Sequence, residues 1–183
     1  MFAHNGYSKT TLHSVSDRVG LTRQGVLHHF HSKEGLFREV INEGQRWAKE
    51  QDDASGGVTG SAGLRALSRF VRTTQDVHIR LVHTLQAEAM HEDAPEHVVT
   101  YVCDRLEHIR CHIAERLREG QRDGTISADL DAPALATMIT GTINGLQTQA
   151  LLDPTVDVEA AFDALADLLA GDAAPRMSDS PVR

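Results

Sequence analysis

The chain has 183 residues, 24% of them charged and 40% apolar, the composition of an ordinary globular protein able to bury a core. Its two cysteines, Cys103 and Cys111, rule out a disulfide-stapled scaffold, and no stretch approaches the roughly 18 apolar residues of a membrane span, so a cytoplasmic location is expected. The formal charge of −8 is unevenly held: residues 1–49 carry seven Lys/Arg against four Asp/Glu (+3), and the rest eleven against twenty-two (−11).

Apolar residues recur at spacings of three and four throughout, and no useful period-2 run of β-branched or aromatic residues occurs, so the expected fold is all-α. Leu12, Val15 and Val19 share one face of a short helix that Thr10 or Thr11 can cap and Gly20 can end. Val26, Leu27 and Phe30 belong to a second, capped by Thr22. Ser32 caps a third, with Leu36, Phe37, Val40, Ile41, Gly44 and Trp47 on its apolar face. The Gly/Ser-rich stretch 52–63 reads as a loop or hinge.

Leu64, Leu67, Phe70 and Val71 mark the next helix, and Val77, Leu81, Val82, Leu85 and Ala89 another. Pro95 stands where a long helix can start, with Val98, Val102, Leu106, Ile109, Ile113 and Leu117 along it. Residues 119–133 turn the chain. Leu135, Ile139, Leu146 and Ala150 form one further amphipathic face, and Val158, Phe162, Leu165 and Leu169 the last. The tail 172–183 has no apolar period and is expected to be disordered.

The excess of positive charge concentrates in and around VGLTRQGVLHHFHSKEGLF (19–37). Two short helices joined by a glycine turn describe a helix-turn-helix. Ser16 is small where two helices must approach, Gly20 permits positive φ, and Val15 and Val26 are placed to bury between the helices. The second helix begins with Thr22, Arg23 and Gln24 at the end that enters a major groove, where Arg reads guanine and Gln reads adenine. Lys33, beside the next helix N-terminus, is placed to hold a phosphate.

The segment NGYSKTTLHSVSDRVGLTRQGVLHHFHSKEGLFREV (5–40) resembles the DNA-binding domain of the TetR family of bacterial regulators. The resemblance is carried by Gly6-Tyr7, Thr10-Thr11, Gly20, Thr22, His28-His29-Phe30, Ser32-Lys33-Glu34 and Leu36. More loosely, DLDAPALATMITGTINGLQTQALLDP resembles the family's BetI-like C-terminal domain. The resemblance implies phosphate contacts from Thr10, Thr11, His28, His29 and Lys33, and base reading by Thr22, Arg23 and Gln24. Leu27 and His29 stand where the family usually has tyrosines, so some hydroxyl contacts are lost. The family's first helix precedes Gly-Tyr by about four turns, yet only MFAHN stands here. The expected head is therefore N-terminally truncated, with Leu12, Val15, Val19 and Phe37 partly exposed.

The expected domains are a helix-turn-helix head at 1–48, a ligand-binding and dimerisation domain at 49–171, and the tail. Trp47, Phe70, His78, Met90, Tyr101 and Asn144, large or polar groups on apolar faces, are candidates for a ligand cavity, although each also reads as plain core. Gly141 and Gly145 permit close helix approach. With Ile139, Phe162, Leu165 and Leu169 they suggest a homodimer seam, tight packing within the subunit being the alternative. Cys103, Glu107, His108, Cys111 and His112 lie close along one helix, but they read as two exposed histidines and two small core cysteines, so no metal is expected.

No catalytic constellation stands out, and neither an enzyme nor a cofactor is implied. The sequence reads as a homodimeric, ligand-responsive transcription regulator, a repressor that an unknown small molecule releases from a double-stranded DNA operator. The alternative is an all-α dimeric small-molecule-binding module with a defective head.

Overall fold

The computed structural model describes residues 1–54, 60–74 and 76–170, and every regular element among them is helical. In chain order these are α1 (Phe2–Asn5), α2 (Leu12–Val19), α3 (Arg23–Phe30), α4 (Lys33–Ala54), α5 (Gly60–Thr73), α6 (Asp76–Ala89), α7 (Glu96–Arg122), α8 (Ala132–Leu152) and α9 (Val158–Ala170). None is long and apolar enough to cross a membrane among the described residues.

Local chemistry sets most helix starts. Thr11 Oγ1 accepts the Ser14 N–H at 3.0 Å while Ser14 Oγ accepts the Thr11 N–H at 3.1 Å, a reciprocal cap on α2. Such a cap is worth about 1 kcal/mol. Gly20 ends α2 in the left-handed region (φ +70), which a side chain at that position would resist. Thr22 and Ser32 cap α3 and α4 by accepting the N–H groups of Gly25 (3.0 Å) and Gly35 (2.9 Å). Asp131 and Asp157 do the same for α8 and α9.

Both ends of the stretch 52–63, expected to be a loop, are helical. Residues 52–54 continue α4, and α5 begins at Gly60, four residues before its apolar face starts at Leu64. A glycine costs little in a first turn whose following residues bury. Residues 55–59 and the tail 172–183 lie outside the described residues.

The chain divides into two compact units that interleave in sequence: Met1–Ala54 with Thr74–Arg105, and Ser55–Thr73 with Leu106–Arg183. The division differs from a boundary at 48/49, because α6 and the start of α7 belong with the head. In that first unit, Thr84 on α6 donates to the Ala3 carbonyl at 3.1 Å. The Tyr7 ring lies 4.3 Å from His97 on α7.

The second unit has its own core of Leu64, Val71, Ile113, Leu117, Ile139, Leu146, Phe162 and Leu169 with their neighbours. On its surface Arg65 reaches Asp163 (3.2 Å) and Asp167 (2.5 Å), and Arg72 reaches Glu159 (2.6 Å), pinning α9 to α5. Exposed pairs of this kind add little stability; burial holds the unit together.

Two expectations about the core change. Phe37 is buried rather than partly exposed, because Phe2 and Tyr7 cover it at ring distances of 5.4 and 5.1 Å. Leu12 and Val15 are half-buried and Val19 is exposed, as anticipated. Cys103 and Cys111 are exposed, not core residues. The buried stripe of α7 runs through Val98, Val102, Ile113 and Leu117, and one residue beyond Val102 turns Cys103 away from it by about 100°.

Candidate functional site

The head presents α3 outward. Val26 buries its inner face, leaving Thr22, Arg23 and Gln24 exposed at its start and His28 and His29 exposed near its end. The two imidazole rings stand edge to face at 5.6 Å. Thr22 combines two roles: its Oγ1 accepts the Gly25 N–H, and it remains solvent-accessible beside Arg23. An exposed helix start with an arginine and a glutamine side by side can meet base edges in a major groove.

Thr10 and Thr11 part company. Thr11 is exposed and caps α2. Thr10 is fully buried, and its Oγ1 donates to the Gly6 carbonyl at 2.7 Å. A buried hydroxyl already spent on the backbone reaches no phosphate, so Thr10 is a structural residue and the contact expected of it is withdrawn.

Lys33 is half-buried. Its Nζ donates to the Ser8 carbonyl at 3.2 Å and sits 4.2 Å from the centre of the Tyr7 ring. Burial pulls its pKa below the ordinary lysine value, against the opposing charge of Glu88. Of its three ammonium donors, one is committed to Ser8, so a phosphate contact remains chemically open.

Behind the head, Glu88 on α6 grips the chain just before α2. Its Oε2 accepts the Tyr7 N–H at 2.6 Å and its Oε1 the Ser8 N–H at 2.7 Å. Burial alone would raise its pKa. The hydrogen bonds from Ser8 and Tyr7 and the charge of Lys33 together outweigh burial and hold it below the ordinary carboxyl value.

Of the proposed cavity residues, the structure brings Trp47 and His78 together, with rings 5.4 Å apart between α4 and α6. Tyr101 on α7 lies 6.0 Å from Phe37. Phe70 and Asn144 belong to the other unit, where Phe70 packs against the core and Asn144 is half-buried on α8. Met90 is 81% exposed, one residue beyond the end of α6.

The seam residues also divide. Ile139, Phe162 and Leu169 are buried in their own subunit's core, so they offer no surface to a second copy, and that part of the expectation is corrected. Leu165 is half-buried. A Cβ built at Gly141 or Gly145 would meet nothing within 4 Å, so both face open space. Met138 and Leu168, on the outer faces of α8 and α9, are 67% and 77% exposed.

Sequence reasoning missed Glu88, His97 and Arg105. Nothing local marks Glu88, whose partners lie about 80 residues away. Arg105 did carry a signal: it stands three residues after Val102 and seven after Val98, on the buried stripe of α7. No group of His, Cys, Asp and Glu among the described residues is arranged to hold a metal.

Residues 1–40 match the family "Bacterial regulatory proteins, tetR family", and residues 63–172 match "BetI-type transcriptional repressor, C-terminal". The chain belongs to the TetR family. Within it, the chain is 28% identical over 138 residues to the HTH-type transcriptional repressor KstR2 of Rhodococcus jostii (strain RHA1), covering 72% of this chain and 65% of that protein. It thus spans just under two thirds of that relative's length.

Two solved structures share this TetR-family fold. A TetR-family transcriptional regulator from Rhodococcus sp. superposes with a TM-score of 0.73 at 19% identity, covering 92% of this chain and 91% of that one. The regulator FadR from Bacillus subtilis, in complex with stearoyl-CoA, superposes with a TM-score of 0.64 at 18% identity, covering 93% and 92%. At such identities the likeness concerns the fold alone.

Proposed function

We propose that this TetR-family chain is a ligand-responsive transcriptional repressor that acts in the cytoplasm as a homodimer. The observation that carries the reading is the exposed start of α3, where Thr22, Arg23 and Gln24 stand clear of the protein behind the Gly20 turn. Thr11, His28, His29 and Lys33 surround that start with phosphate-compatible donors, while Arg23 and Gln24 read base edges. KstR2 is named a repressor, which supports the sign of the regulation.

The dimer uses the outer faces of α8 and α9. No charged residue occurs between Ala132 and Leu152. Met138, Gly141, Gly145 and Leu152 recur there at helical spacing, beside Leu165 and Leu168 on α9. A second copy across a two-fold axis would cover this uncharged surface, and the dimer would carry two α3 helices, one for each half-site.

Effector control runs through the first unit. A ligand held near Trp47, His78 and Tyr101 touches α6 and α7, and α6 is bonded to the head by Glu88 and Thr84. A ligand that prefers another placement of α6 lowers the population of heads poised for DNA.

The reading is tested by fluorescence anisotropy of the purified full chain on DNA from the region flanking its own gene. Saturable binding that survives competitor DNA, and that Arg23→Ala abolishes, supports the repressor. Binding indistinguishable from random DNA returns the chain to the rank of a ligand-binding module with an inert head.

A further inference from the structure

Among the described residues of the first unit, three side chains carry a buried nitrogen without a hydrogen-bond partner, His78 (Nδ1), His97 (Nε2) and Arg105 (Nη1), and Arg105 is the charged one of the three. Its Nη1 is buried without a hydrogen-bond partner, and it forms no ion pair with Asp or Glu among the described residues. The charged groups of its own helix nearby, Asp104 and Glu107, are exposed. The titratable groups that sense it are Tyr101, one turn earlier on α7, and His83 on α6. Its neighbours on the buried stripe are Val98 and Val102, and α6 contributes Ile79, Leu81 and Leu85 to the same unit's core. His78, against the Trp47 ring, has a second buried orphan, Nδ1.

Arg105 is half-buried, but the buried edge of its guanidinium, Nη1, has neither water nor a counter-ion, and that is a destabilising arrangement. Desolvation pulls the Arg105 pKa below its ordinary value, offset only in part by Tyr101. Burial also raises the Tyr101 hydroxyl, against the opposing charge of Arg105, which keeps that hydroxyl a neutral donor and not a counter-ion. No carboxylate among the described residues pairs with this charge.

We propose that Arg105 is the counter-ion of an anionic effector: an organic molecule with an apolar body and a carboxylate or phosphate head that pairs with the guanidinium fork. Both heads match the planar, two-pronged donor geometry of arginine, and a neutral head group does not. The Tyr101 hydroxyl and His78 Nδ1 supply further polar contacts, and the apolar residues of α6 and α7 receive the body. This deepens the effector reading above and rests on it.

The test uses the full chain with four matched probes: hexanoate, hexyl phosphate, hexanamide and hexanol. Calorimetric titration should show at least one anion binding tenfold or more tightly than both neutral probes, and which anion wins tells a carboxylate head from a phosphate head. Arg105→Gln should remove that preference, and Arg105→Lys should keep part of it. In the absence of any probe, Arg105→Met should raise the melting temperature, because it removes a charge whose buried Nη1 has no partner. Equal binding of charged and neutral probes, no binding of either anion at millimolar concentration, or a lowered melting temperature for Arg105→Met would each overturn the proposal. Operator binding is measured separately. An Arg105→Met protein that binds operator but is no longer released by the anion supports the proposal. A wild-type chain that discriminates anions but ignores DNA leaves the anion site standing and removes the repressor reading.

Discussion

Glu88 holds the backbone of Tyr7 from 81 residues away: its Oε2 accepts the Tyr7 N–H at 2.6 Å while its Oε1 accepts the neighbouring Ser8 N–H. The same carboxylate faces Lys33, which lies over the Tyr7 ring and donates to Ser8. One side chain of α6 therefore organises the strand of backbone that leads into the helix-turn-helix. Anything that displaces α6 must stretch or break these bonds.

Replacing Glu88 by Gln should cost about 1–2 kcal/mol of stability at neutral pH, since one charge-assisted acceptor is lost. The folded-state pKa of Glu88 lies below its ordinary 4.5, so its contribution is complete above the unfolded value and is lost as pH falls through the folded one. Urea unfolding should thus show a wild-type advantage over Glu88→Gln at pH 7 that shrinks as pH falls below about 4.5. A gap that stays constant into strong acid would assign the effect to something other than ionised Glu88.

Gly6 is the second half of this joint. Its φ of +73 with ψ of −178 is a conformation nearly restricted to glycine, and an added Cβ would lie 2.6 Å from Glu88 Oε2. Gly6→Ala should destabilise the protein by about 1–3 kcal/mol. In the double variant with Glu88→Ala the steric part of the loss disappears while the backbone strain remains. Thermal unfolding of the two single variants and the double variant separates the two contributions.

The two sorts of head residue should fail differently. Thr10→Val removes the buried bond to Gly6 and should lower stability by about 1 kcal/mol without changing the salt dependence of DNA binding. Gln24→Ala should weaken operator binding by about 1–3 kcal/mol and relax base preference at one position. Lys33→Ala should weaken binding to all sequences and reduce the salt slope by about 1. Anisotropy titrations at several salt concentrations distinguish the three patterns, and a shallower slope for Thr10→Val would restore it as a phosphate contact.

Gly145→Leu tests the seam. Because a Cβ at this position meets nothing within the subunit, the larger side chain should leave the folded protomer intact and interfere only with a partner. Sedimentation velocity should then show monomers with unchanged helical content by circular dichroism. Dimers that persist at low micromolar concentration would move the interface off this face of α8.

The helix-turn-helix was legible in the sequence because the forces that shape it are local. Thr11 and Ser14 cap each other, Gly20 accepts a positive φ, and Thr22 caps α3, all within a dozen residues. The apolar periods of the later helices were legible for the same reason: a helix buries one face wherever it packs. Which face meets which neighbour is another matter. Ile139, Phe162 and Leu169 share the apolar character of Met138 and Leu168, but only the assembled core shows that the first three are buried within the subunit. Thr10 and Thr11 are adjacent and identical in type, yet the chain's path turns one hydroxyl inward to Gly6 and leaves the other in solvent. Glu88 gained its role from amides some 80 residues away, and Arg105 its unpartnered Nη1 from the packing of the folded chain. Local hydrogen bonds and period are written residue by residue along the chain. Burial and desolvation depend on contacts between distant segments, and those exist only once the fold is complete.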